Sequence, residues 1–534
     1  MVSPRIHFAG RAGAVFCLAW VLSAFVLAQE AGTEPPLRPN IVLVLVDDLG
    51  WRDTGVPLPG VESHFRTPNL KFLASQAMGF SSAYASAPVC TPTRAALLTG
   101  RAPARSHITW WTLHKGQDTS RAHPRLAAPA WQVDGLQPED GETLPGILRQ
   151  VGYTTILAGK AHFGALGTPG ADPRNLGFDV NIAGHAAGAP GSYRAREHFE
   201  QAGRQGKAPG SAPSVWDVPG LENYHGHDLF LTECLALEAT NAMRASAAAG
   251  KPFYLHFAPY AVHMPITANE RFVAHFSDLD GTEAAYASMV EGVDAALGAI
   301  LACIEQLGAA DHTIVIFHSD NGGLSAHGRG AAPDGGGAHH HNAPLRSGKG
   351  SAYEGGVRVP MWIAWPGITD REDRAGSTCD VPVVSHDLFP TVLSLAGLQT
   401  DHGPEIDGRD LTPLLTGRDW LFQRSPRSLF WHQPHRWGAD GPGIEPFSAV
   451  RTGPWKLIYF HDGPRFELYN LSEDPGERTD LASKHPDQAA ILVQTLDQWL
   501  KATGAQLSID KQTGEAVPGP AMAWQGIARA PQER

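Results

Sequence analysis

Asn40-Ile41-Val42-Leu43-Val44-Leu45-Val46-Asp47-Asp48 is the stretch that decides the architecture. Side chains alternate across a strand, so an unbroken apolar run buries both of its faces, as happens inside a parallel sheet. A second run of this kind spans 313–317, and shorter ones span 154–157, 253–257 and 359–364. Helical periodicity lies between them, at 94–99, 143–151, 229–248 and 282–307. Strands alternating with helices predict an α/β fold, with a large, mostly parallel or mixed sheet sandwiched by helices.

Both strong strands end in acids: Asp47-Asp48 after the first, Ser319-Asp320-Asn321-Gly322 after the second. Adjacent carboxylates repel, and near a core they need a cation to offset them. In α/β sheets ligands gather at the carboxyl ends of strands. Asp47, Asp48, Asp320 and the amide oxygen of Asn321 therefore make a candidate all-oxygen set for a hard cation, Ca²⁺ or Mg²⁺. Either pair alone also fits a solvated turn or a helix cap.

The 534 residues exceed one ordinary core, which predicts a large domain and a smaller one. The chain carries 43% hydrophobic and 18% charged residues, which suits a globular protein. With a net charge of −12 and no long Lys/Arg run, nucleic acid is not an expected partner. The start reads as a signal peptide over residues 1–28: Arg5 and Arg11, an apolar stretch over 14–27, then a small-residue cleavage site. Its removal takes away two arginines and no acid, so −12 becomes −14. No membrane span is expected after that cleavage, and the expected location is periplasmic or secreted.

The predicted organisation is a catalytic domain over 29–417, a C-terminal α+β subdomain over 418–505 and a tail over 506–534. Alternation at 448–459 and 466–469, then an amphipathic pattern at 486–502, predicts a small antiparallel sheet with a helix. Segments 102–140, 163–225 and 322–347 are Gly/Pro/His-rich loops, long enough to expect function from them. Cys90, Cys234, Cys303 and Cys379 are widely spaced and free of CxxC, so zinc chemistry has no support. Two disulfides are open to them unless Cys90 is catalytic.

Cys90-Thr91-Pro92-Thr93-Arg94 precedes Leu98-Thr99-Gly100-Arg101. Pro92 suits a first helical turn, which sets Cys90 at a helix N-terminus, where anions are favoured. A buried cysteine before a helix is the plainer reading of these residues alone. The segment resembles the signature of the type I sulfatases, within the alkaline-phosphatase-like superfamily, with Thr93 where serine is commonest. Gly159-Lys160-Ala161-His162, Tyr260-Ala261-Val262-His263, His318-Ser319-Asp320-Asn321, Arg346-Ser347-Gly348-Lys349, Ser385-His386-Asp387 and Asp407-Gly408-Arg409-Asp410 resemble further segments of that family. They follow in family order from about Asn40 to Ala482. Ala161 stands where tryptophan is usual.

The resemblance implies that a maturation enzyme oxidises Cys90 to formylglycine (3-oxoalanine), and that its hydrate splits sulfate esters beside Ca²⁺. It implies Asp47, Asp48, Asp320, Asn321 and the modified Cys90 as metal ligands. Arg94 and Lys160 would orient the hydrate, His162 would be the base in sulfate release, and His263 and Lys349, with Lys160, would hold sulfate. A sulfated carbohydrate is the implied substrate class. Trp110-Trp111, the 181–193 loop with His185, and 339–341 with His341 are candidates for reading the sugar. The rivals are a phosphodiesterase or phosphonate hydrolase of the same superfamily and a non-catalytic binder of sulfated glycans.

Overall fold

The computed structural model describes residues 38–56, 63–324, 342–399, 403, 405–424, 427–438 and 440–529. The leader at 1–28 and His341 lie outside them. Residues Pro39–Arg534 cluster as one compact unit.

Eight strands make the main sheet: β1 (Asn40–Val46), β2 (Met78–Phe80), β3 (Thr154–Gly159), β4 (Val180–Ile182), β5 (Phe253–Ala258), β6 (Thr313–Ser319), β7 (Met361–Ala364) and β8 (Thr378–Cys379). Their order is β8-β2-β7-β6-β1-β5-β3-β4. β7 runs antiparallel to β6 and β2, and the other pairs are parallel. The sheet is thus mixed but mostly parallel, as the apolar runs predict.

Alternation along β1 divides the core. Val42, Val44 and Val46 pack with Leu255, Phe257, Val315 and Phe317 on one face. That face is covered by helices α1 (Pro68–Ser75), α4 (Leu231–Ala248) and α5 (Gly281–Gln306). Ile41, Leu43 and Leu45 pack on the other face with α2 (Cys90–Thr99), α3 (Leu144–Gln150) and α6 (Leu388–Leu395). Asp280 caps α5, its side chain accepting from the Thr282 and Glu283 amides, and Thr143 caps α3 by accepting from Gly146. By length and composition α5 could cross a membrane. Here it is a core helix whose apolar side lies on the sheet.

Past residue 418, four antiparallel strands form the small sheet: β9 (Ser428–Gln433), β10 (Phe447–Thr452), β11 (Trp455–Phe460) and β12 (Arg465–Asn470). The stretch expected as one segment at 448–459 is a hairpin, because Gly453 takes φ +56 and Pro454 cannot donate to a ladder. One face meets Tyr84, Tyr353 and Val357, and the other meets α7 (Pro486–Thr503). Residues 506–529 do not trail as expected. Ile509–Asp510 pairs with Leu126–Ala127, and α8 (Pro520–Arg529) sets Trp524 edge-on to Phe466. One apolar ring at helical spacing was too small a signal to read in advance.

Candidate active site

Register delivers the acids. Val46 pairs with Ser319, so Asp47-Asp48 and Asp320-Asn321 leave neighbouring strands side by side. On the other flank Gly159 pairs with Ala258, and Lys160 follows at once, its amide donating to the Ala258 carbonyl at 2.6 Å. Cys90 opens α2 after Val89, and the four cysteines among the described residues are free, so no disulfide forms among them.

The charges interlock through direct contacts. Lys160 Nζ donates to both oxygens of Asp47, at 2.8 and 2.7 Å. Arg94 Nε donates to Asp320 Oδ2 at 2.9 Å, and Arg94 Nη1 to the Lys160 carbonyl at 2.9 Å. Lys349 Nζ reaches the two oxygens of Asp48 at 2.6 and 2.9 Å. Three carboxylates thus face three cations, all buried. Burial outweighs the Lys160 attraction at Asp47 and lifts its carboxyl to about 8. At Asp48 burial also pushes upward, but Lys349, His263 and Lys160 together hold the carboxyl below its usual range. Asp320 is likewise held low against burial, by Arg94 and Lys160.

The donor set fits a hard cation. Carboxylate oxygens of Asp47 and Asp320 and the sulfur of Cys90 lie within 4.8 Å of one another, and so do ligand atoms of Asp48, Cys90 and His263. Asn321 Nδ2 donates to Asp48 Oδ1 at 2.8 Å and to the Gly322 carbonyl, which fixes the amide. Its Oδ1 is buried and accepts no hydrogen bond. A buried, oriented oxygen without a proton donor is what a cation would complete.

Two histidines have their tautomers set by carbonyls, which only accept. His162 Nε2 lies 3.0 Å from the Thr112 carbonyl, so it carries the proton, and the buried Nδ1 keeps a lone pair with no partner. Burial, then Lys160 and Arg94, hold His162 well below the usual imidazole range, so the ring is neutral. His263 Nδ1 lies 2.9 Å from the Met264 carbonyl, which leaves Nε2 toward Asp48 Oδ2 at 3.7 Å. Tyr193 fixes that corner, its hydroxyl donating to the carbonyls of Tyr260 and His263.

A cavity of about 250 Å³ opens on this cluster, with Asp48, Cys90, His162, His263 and Lys349 in its lining. Trp111, Trp216, Trp437, Thr119 and Arg121 also line it. Trp111 meets the expectation of a pocket residue, whereas Trp110 is buried and stacks on His435. Gly188 and Ala189 bring the 181–193 loop to the lining. His185 does not line the cavity. Its Nδ1 lies 2.8 Å from the Tyr260 hydroxyl, which makes it a prop for the wall rather than a ligand to sugar. Trp216, Trp437 and Arg121 went unread in the sequence, since no spacing distinguishes them among 14 tryptophans and many arginines.

The sulfatase family model matches residues 39–398, and the C-terminal model of N-sulphoglucosamine sulphohydrolase matches 348–506. The chain is 34% identical over 480 residues to N-acetylgalactosamine-6-sulfatase of Mus musculus, covering 88% of this chain and 81% of that protein. It is 28% identical to a sulfatase of Formosa agariphila, over 94% and 95% of the two chains. Among solved structures it resembles Ps i-CgsB, with a TM-score of 0.71, 27% identity and coverage of 92% and 98%. A family match over most of the chain, on the fold and cluster just described, shows that this protein belongs to the type I sulfatases of the alkaline phosphatase superfamily and is a sulfuric ester hydrolase.

Proposed function

We infer that the chain removes sulfate from a sulfated saccharide, with Cys90 converted to formylglycine by a maturation enzyme and with Ca²⁺, or Mg²⁺ in its place, held by Asp47, Asp48, Asp320 and Asn321. The observation that carries this reading is the buried convergence of these acids on Cys90. An unmodified thiol serves poorly, because burial raises it to about 11 and keeps it protonated. The hydrated aldehyde supplies two hydroxyls on one carbon, one to attack sulfur and one to allow release. The cation, when bound, supplies charge that makes a nearby hydroxyl more acidic.

The chain's own groups do the rest. Lys349, kept cationic by Asp48 against the pull of burial, takes sulfate oxygens and stabilises charge on the leaving oxygen. His263 Nε2 stands beside it at the pocket wall. Neutral His162, with Nδ1 open, accepts the proton during sulfate release. Arg94 and Lys160 hold Asp320 and Asp47 in place. The tryptophan walls offer faces to a sugar ring.

The saccharide class is supported by the N-acetylgalactosamine-6-sulfatases and by Ps i-CgsB, solved in complex with k-i-k-neocarrahexaose at 25% identity to this chain. Parallel rates on an aryl sulfate and an aryl phosphate diester, then a desulfation panel of defined sulfated saccharides, test the function. Faster sulfate release, with turnover of at least one saccharide, is expected. Faster phosphodiester cleavage would favour the phosphodiesterase rival. Export through residues 1–28 belongs to the same proposal, and N-terminal sequencing of protein recovered outside the cytoplasm checks it.

A further inference from the structure

A second cavity, of about 770 Å³, lies at the seam between the edge of the main sheet and the small sheet. Ser81-Ser82 after β2, Asp380–Pro382 after β8, and the Gly453 turn of the β10–β11 hairpin form its walls. Arg358, Arg409, Arg427 and Arg451 also line it, and it shares no lining residue with the reaction pocket. Among the described lining residues Asp380 is the single acid. Two buried acids stand behind these guanidiniums: Glu354, 3.6 Å from Arg358, and Asp387, 2.7 Å from Arg427.

The arginines are held in place rather than loose. Arg427 forms a two-pronged pair with Asp387, at 2.7 and 2.8 Å. Arg358 donates from Nε and Nη2 to the Ser81 carbonyl, at 2.8 and 2.6 Å, and Arg451 Nε donates to the Gly453 carbonyl at 3.1 Å. Arg427 is nine-tenths buried, and its Nε is a buried donor without an acceptor. Burial, and next the like charge of Arg427, pull the Arg409 guanidinium below its ordinary value, with Asp387 acting against both. The buried donor left open on Arg427 is what an oxyanion would satisfy. Pro382, Val381, Phe422 and Leu471 interleave with Ser, Thr and Gln in the lining, a mix that suits a sugar attached to that anion.

We propose that this cavity is a second sulfate-binding site, which holds a sulfate group of a saccharide chain away from the one being cleaved. The anion's chemistry follows from the open Arg427 Nε donor among guanidinium groups, which suit the oxygens of a tetrahedral oxyanion. The same chemistry is offered by inorganic sulfate, the product of the reaction. The attached sugar rests on the function inferred above.

Phenylglyoxal labelling of Arg409, read by peptide mass spectrometry on Cys90→Ala protein, tests the site without turnover. The probes are a defined sulfated oligosaccharide, its desulfated counterpart and inorganic sulfate at equal ionic strength. The sulfated oligosaccharide should cut Arg409 labelling by at least about fivefold, the neutral one should not, and sulfate ion at the same molarity should do much less. Gln423→Glu, which adds an acid to the lining, should abolish the protection while aryl sulfate turnover in the Cys90 protein stays unchanged and vouches for its fold. Equal protection by inorganic sulfate would overturn the saccharide assignment, and no protection by either anion would overturn the site. Failure of the inferred function reads out separately, as absent desulfation of every saccharide by the Cys90 protein.

Discussion

Asp320 performs two tasks that one substitution exposes together. It offers an oxygen to the proposed cation site and is the acceptor for the buried Arg94 guanidinium. Asp320→Ala should therefore abolish turnover, excess Ca²⁺ should restore little, and the stranded cation should cost roughly 3–5 kcal/mol of stability. Kinetics with a calcium titration, run beside a thermal melt, checks both. Cys90→Ala is the contrasting case, because the thiol carries no structural bond of this kind. It should be inactive yet melt close to the parent, and retained turnover would reject the mechanism. At this scale the motif residues were legible through their positions in segments that resemble the family, since either acidic pair alone also fits a turn or a helix cap. His185 and Trp110 were misplaced for the opposite reason. Their neighbours along the chain do line the pocket, and only packing decides which ring turns inward.

The loop over 183–193 shows what an element contributes that its residues do not announce. A Cβ on Gly188 would stand 2.4 Å from the His162 ring, so only glycine lets the loop press against that imidazole. Gly188→Ala should displace the ring and lower kcat by about 10²-fold, with little loss of stability. Steady-state kinetics with a denaturation curve separates the two effects, and an unchanged kcat would remove His162 from the proton transfer. Strand β1 tests the packing. Leu43 is buried in the core beneath α2, and Leu43→Ala should cost roughly 2–5 kcal/mol in a urea melt. The long strands and helices were readable because their periodicity runs over many residues. Met78–Phe80, Val180–Ile182 and Thr378–Cys379 were not, since two or three residues carry no period and their pairing comes from the neighbouring strand.

Over the whole molecule, buried histidines set the response to acid. Burial pushes His256 and His435 down to about 3, and His318 and His432 down to about 4. The folded state keeps them neutral, while an unfolded chain protonates them below about pH 6.5. Unfolding then takes up protons, so stability should fall between about pH 6.5 and 4, by up to ~1.4 kcal/mol per pH unit for each histidine. Glu477, lifted by burial to about 7, acts in the opposite sense. Its contribution is present in acid and lost as pH rises through that value. With these four histidines against one carboxyl, the thermal midpoint at pH 5 should lie below that at pH 7, and a higher midpoint at pH 5 would contradict this.

The buried acids, the orphaned Asn321 oxygen and the helix start at residue 90 converge on one chemical claim, that an aldehyde at position 90 does the work. Preparations made with graded amounts of maturation enzyme would differ in aldehyde content, which peptide mass spectrometry can quantify beside aryl sulfate turnover. Turnover should rise in proportion to aldehyde content and vanish where residue 90 is wholly thiol. Full turnover from the thiol form would contradict the claim.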